Sequence, residues 1–111
     1  MSDKSEHRSR LESQLLQSDP ELRDVVEEFV VGLQERLAEL ERAYAAHQWD
    51  HLAALAHRLK GAGGSYGYPE ISALCAEMES AFKAQQADGL RDRFEHLRRL
   101  AEAAAAGLRD V

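Results

Sequence analysis

The sequence predicts an all-α protein, an antiparallel up-down-up-down four-helix bundle with a short extra N-terminal helix. Three observations carry this. Apolar residues recur at steps of three or four through four long stretches, the repeat of a helix with one buried side. Short segments with helix-start and helix-stop chemistry separate those stretches. Nowhere do apolar and polar residues alternate as in a half-buried strand, and no segment repeats another.

Residues 1–9 are charged and without apolar periodicity, so they are expected to form a mobile tail ahead of a domain spanning 10–109. Leu11, Leu15 and Leu16 suit one short amphipathic helix. At Asp19-Pro20-Glu21 a longer helix should begin, because Asp19 can cap free amides, Pro20 suits a first helical position and Glu21 favours the positive helix end. Its inward stripe reads Leu22, Val26, Phe29, Leu33, Leu37, Leu40 and Tyr44. Glu27, Glu28, Glu35, Arg36 and Glu39 fall on the solvated side.

After a break at His47-Gln48-Trp49, Asp50 is the expected N-cap of a helix carrying Leu52, Leu55, Leu59, Ala62 and Tyr66 inward. Gly67-Tyr68-Pro69 ends it, glycine taking the left-handed closing position and proline opening the next helix. That helix turns Ile71, Leu74, Cys75, Met78 and Phe82 to one side. Asp88-Gly89 then precedes a last helix with Leu90, Phe94, Leu97, Ala101 and Ala104 in register.

Composition narrows the function classes. At 111 residues, 44% hydrophobic and 31% charged, the chain can bury one core but not two catalytic lobes. A net charge of -6 disfavours nucleic acid and anionic lipid, both of which ask for a clustered positive surface, so the expected partners are proteins. The single Cys75 can close no intrachain disulfide and is expected in the core. No stretch suits a signal peptide or a membrane span, which makes the cytoplasm the expected compartment. A self-contained bundle is expected to be a monomer.

The helix after Asp50 carries the chemistry. On a wheel of about 100° per residue, its expected inward residues lie roughly 140° to 180° from His57, so that imidazole should point at solvent. Ala53, Ala54, Lys60, Gly61 and Gly64 fall within roughly 60° of it, a ring of small side chains and one ammonium. Arg58 flanks the same region. Glycines at 61, 63 and 64 each cost a helix about 1 kcal/mol relative to alanine. Close approach of a partner surface would explain them. A neutral imidazole is a nucleophile near neutral pH, and neighbouring cations can stabilise a phosphoryl group placed on it. No P-loop, glycine-rich nucleotide loop or Mg²⁺-holding acidic cluster is visible, so a phosphoryl group would have to come from another protein.

The run Ala56-His57-Arg58-Leu59-Lys60-Gly61-Ala62-Gly63-Gly64-Ser65-Tyr66-Gly67 resembles the AHxLKGxxxxxG signature of histidine phosphotransfer (HPt) domains. The resemblance extends from about Leu22, through Phe29 and the Trp49-Asp50 turn, to Leu74, Met78, Glu79 and the closing helix. It implies a phosphocarrier of a multistep two-component phosphorelay rather than an enzyme. His57 would be the phosphoryl acceptor, Lys60 the residue assisting phosphate binding, and Gly61 and Gly64 would permit receiver docking, a face to which the wheel adds Ala53 and the flanking Arg58. The partners would be receiver domains of response regulators and of a hybrid sensor kinase. No cofactor is expected on this chain, Mg²⁺ being held by the receiver. At Tyr66 the family more often has an aliphatic residue or phenylalanine, and Tyr66 is expected in the core with its hydroxyl toward an edge.

Plainer readings compete at each residue. A lone histidine on a polar helix face is commonly just solvated, which is the reading for His7, His47, His51 and His96. A ferritin-like metal bundle would need Glu-x-x-His pairs, but Lys4, Tyr44, Gln48, Ala54 and Arg93 stand three residues before the five histidines, so no metal site is expected. A module that docks on receivers without carrying phosphate, and a purely structural bundle, are the alternative functions. His57 with Lys60 argues against the first, and the glycine-cleared face against the second.

Overall fold

A computed structural model of the chain describes residues 10–109; the expected tail over 1–9, with His7, lies outside the described residues. A short helix α1 (Gln14–Ser18) and a 3₁₀ turn (Pro20–Leu22) lead into four long helices: α2 (Arg23–Ala45), α3 (Trp49–Ser65), α4 (Pro69–Lys83) and α5 (Leu90–Arg109). Among the described residues there is no strand. Connections over 46–48, 66–68 and 84–89 are too short to let successive long helices run parallel, and α2 packs on both α3 and α5, so the bundle closes.

Helix ends show which local expectations hold. Asp19 does cap, its Oδ1 accepting from the Glu21 amide at 3.2 Å, yet the Leu22 amide bonds back to Asp19 O at 3.1 Å. That three-residue spacing is 3₁₀, so the α-helix proper starts only at Arg23 rather than at Pro20. Asp50 is not the N-cap of α3. The ladder begins two residues earlier, with the Leu52 amide on Gln48 O at 2.9 Å, leaving Asp50 in the first turn beside the positive helix end.

Helices α2, α3 and α4 end in one closure, with paired bonds such as Tyr68 N to Gly63 O at 2.8 Å and Gly67 N to Gly64 O at 3.2 Å. The left-handed residue is His47 after α2, Gly67 after α3 and Gln85 after α4. Only at Gly67 does packing demand glycine: a Cβ there would lie 2.4 Å from the Leu15 amide nitrogen.

The expected stripes of α4 and α5 are buried in full, as are Val26, Phe29, Leu33, Leu37 and Leu40 of α2. Helix α3 differs. Leu52 and Leu59 are buried as expected, but Leu55, Ala62 and Tyr66 are only half-buried, and Ala56 and Gly63 take the interior instead. The reason is the closest helix pairing in the bundle, α3 against α4. A Cβ on Gly63 would stand 3.1 Å from Ile71 Cγ2 and 3.2 Å from the Ser72 amide, so this glycine seats α4 and is not part of an open face. Tyr66 packs at the core's edge, stacked on Phe29 with ring centroids 4.8 Å apart.

Candidate functional site

Rotating α3 toward α4 leaves His57 outside, with its side chain 65% exposed, and brings its flank over Glu79 of α4. Glu79 follows Cys75 by four residues and precedes Phe82 by three, which places it at the margin of a buried stripe. Its side chain is only 10% exposed. A carboxylate so placed must be compensated.

Three groups do this. His57 Nδ1 lies 3.2 Å from Glu79 Oε2, Lys60 Nζ lies 3.2 Å from Oε1, and Lys83 Nζ, one turn along α4, lies 3.1 Å from Oε2. Hydrogen bonds from Lys83 and Lys60 outweigh the opposing effect of burial and hold the Glu79 carboxyl down at about 2, so it is ionised throughout the physiological range.

An ionised carboxylate has no proton to give, so the bond to His57 needs a hydrogen on Nδ1, donated to Glu79. In the neutral ring the lone pair then sits on Nε2, the second nitrogen of a largely exposed side chain. The arrangement supplies an oriented nucleophile, a fixed counter-charge behind it and two ammonium groups beside it.

Around this centre the small residues divide. A Cβ at Gly61 would meet nothing within 4 Å, and one at Gly64 would touch only the Ser72 side chain, at 3.6 Å. Ala53 is half-buried against the core. Arg58 turns to the other flank of α3, where it lines a groove with Gly32, Arg36 and Leu55. Lys60 therefore joins His57 through Glu79, whereas Arg58 lies apart from that cluster. His47, His51 and His96 are exposed. Among the described residues no group of three or more His, Cys, Asp or Glu could hold a metal ion.

The family model for the Hpt domain matches residues 24–107, from the start of α2 almost to the end of α5. The chain belongs to the Hpt domain family. Comparison with curated proteins and with solved structures gives no match. Hpt domains serve histidine phosphotransfer in phosphorelays, acting as phosphocarriers and interacting with receiver domains. No described helix of this Hpt protein is long and apolar enough to cross a membrane.

Sequence reasoning passed over Glu79 and Lys83 as participants. The signal was available: a carboxylate four residues from Cys75 and three from Phe82, on a helix whose other residues in that register are apolar, with a lysine four residues beyond it.

Proposed function

We propose that this protein accepts a phosphoryl group on Nε2 of His57 from the aspartyl phosphate of one receiver and passes it to the aspartate of another. The observation that carries this reading is the bond between His57 Nδ1 and an ionised Glu79, because it directs the lone pair to Nε2. That lone pair forms the N–P bond as the P–O bond to the receiver's aspartate breaks, and the carboxylate leaves with the bonding electrons. With hydrogen retained on Nδ1, the phosphorylated ring carries positive charge, which Glu79 faces at 3.2 Å.

Lys60 and Lys83 are held on Glu79 and lie within a swing of the ring; either ammonium could turn to the phosphoryl oxygens. Receivers would dock over Ala53, Gly61 and Gly64, with Arg58 and its groove extending the surface toward α2. Mg²⁺ would belong to the receiver, and this chain would act as a cytoplasmic monomer with no cofactor of its own.

The test mixes the protein with labelled phospho-receivers and compares wild type with His57→Gln. Wild type should acquire acid-labile label, while the variant, altered at an exposed position, should melt at the same temperature and acquire none. Labelling of the variant at the wild-type rate would place the carrier elsewhere. Receiver binding without label on the wild type would make the protein a silent docking module.

A further inference from the structure

The turn that ends α3 is locally weak, because Gly61, Gly63 and Gly64 put three poor helix formers into four residues. On one side α4 holds it at Gly63. On another it is held by residues that precede the stretch matched by the family model, which begins at residue 24. Ser13 Oγ donates to Tyr66 O at 2.6 Å and the Gln14 amide to Gly67 O at 2.8 Å. Carbonyls at the end of the helix, where the α-helical ladder runs out of donors, are thus met by the N-terminal segment.

Ser13 is 3% exposed, and its hydroxyl is engaged in both directions: while donating to Tyr66 O it accepts from the Leu16 amide at 3.2 Å and so caps α1. One side chain therefore joins the start of α1 to the end of α3. The segment is anchored beyond this point as well. The Leu11 amide donates to Ala103 O at 2.9 Å, and Leu11, Leu15 and Leu16 pack against the core. Gly67 and Gly107 leave it room, since a Cβ at either would strike the backbone of Leu15 or of Leu11.

We propose that Ser13 is a positioning residue for receiver docking: through it, residues 11–16 hold Gly61–Gly67 in the single helical form that a receiver meets. The proposal rests on the reading of Gly61 and Gly64 as part of the docking face. A surface already in its bound form spares the receiver the cost of ordering it, and a turn this rich in glycine would otherwise open locally. His57 stands on the preceding turns, and its contact with Glu79 involves no residue of the segment.

The test uses the full chain, with amide hydrogen exchange followed residue by residue and with phosphotransfer measured against the concentration of a receiver that labels wild type. Ser13→Ala should speed exchange at Gly61–Gly67 by about three- to tenfold, the range of one neutral hydrogen bond, and leave Met78 and Leu97 as they are. The receiver concentration for half-maximal transfer should rise by about twofold or more at an unchanged maximal rate. Adding Gly61→Ala to Ser13→Ala should slow exchange again by up to about fivefold, the difference in helix propensity between the two residues. If Ser13→Ala fails to fold, Leu15→Ser loosens the same segment without leaving the Tyr66 carbonyl unpaired, and the same changes are expected. Unchanged exchange at Gly61–Gly67, or faster exchange with an unchanged half-maximal concentration, would overturn the proposal alone. Receiver binding undiminished in Gly64→Trp would overturn the docking reading, and the proposal with it.

Discussion

Gly61 and Gly63 stand two residues apart on α3, yet a Cβ at Gly61 would meet nothing within 4 Å, whereas one at Gly63 would crowd Ile71 Cγ2 at 3.1 Å and the Ser72 amide at 3.2 Å. Both weaken the helix by the same local mechanism. On the outward side glycine keeps the approach to His57 low. On the side toward α4 it brings two helices together, and that contact sets Glu79 within reach of the imidazole. The two sides of α3 thus contribute different halves of one site: access from one, orientation and charge from the other.

The largest effect on this contrast should come from Leu59→Ala. It removes a fully buried side chain next to Arg58 and Lys60, and is expected to cost about 2 to 5 kcal/mol in denaturant unfolding. Lys60→Ala, one residue on, should stay within about 1 kcal/mol of wild type while slowing phosphotransfer. Loss of stability in the second and not the first would mean that the helix is rotated differently in solution.

Next in size is Gly63→Val. Branched bulk against Ile71 and the Ser72 backbone should destabilise by about 1 to 3 kcal/mol and, by parting α3 from α4, disturb the resonance of His57 as well. A stable Gly63→Val protein with an unchanged His57 spectrum would remove the claim that this glycine seats the helix pair.

Glu79→Gln sharpens the charge side of the comparison. Its folded-state carboxyl is depressed from 4.5 to about 2, so the ionised group contributes stability fully above the unfolded value, and that contribution fades as pH falls from about 4.5 through 2. At neutral pH the variant should be less stable by about 1 to 2 kcal/mol, a charge-assisted bond discounted for the exposed Lys83. Paired melts at pH 7 and pH 2 should show the gap between the proteins narrowing in acid; a constant gap would mean that the carboxylate charge is not what stabilises the cluster.

The smallest effect is expected at Gly61→Ala, which should raise stability by up to about 1 kcal/mol because nothing obstructs the new methyl group. Thermal melts suffice. A loss instead of a gain would show that the outward side is more crowded than it is here.

The amphipathic stripes of α4 and α5 were legible residue by residue, because bulky apolar groups at helical spacing have no alternative to the core. Helix α3 was less so. A wheel built on the largest apolar residues pointed it at Leu55, Ala62 and Tyr66, whereas its rotation is decided by Ala56 and Gly63, whose lack of bulk permits close contact. Hydrophobic periodicity is blind to small residues that pack by absence. The position of His57 outside the core survived that error, since it lies well clear of either buried arc. Lys60 could be placed beside it from one helix alone. Glu79 could be read from α4 alone as a carboxylate at the margin of a buried stripe, but its partnership with His57 could not, because that joins two helices and only their separation reveals it.

Residues 11–18 are tied across the fold, the Leu11 amide donating to Ala103 O at 2.9 Å and the Gln14 amide to Gly67 O at 2.8 Å, and these ties constrain the order in which the molecule can be completed. They leave the ribosome well before α5, but the Leu11 amide finds its acceptor on Ala103, and the Leu11 carbonyl rests where Gly107 has no side chain. Gln14 and Ser13 can reach Gly67 and Tyr66 once α3 is made, but Leu11 must wait for the second half of α5. A nascent or truncated chain ending before α5 is complete can form its hairpins but cannot close this seam, and it leaves Tyr68 uncovered at the junction of α3 and α4.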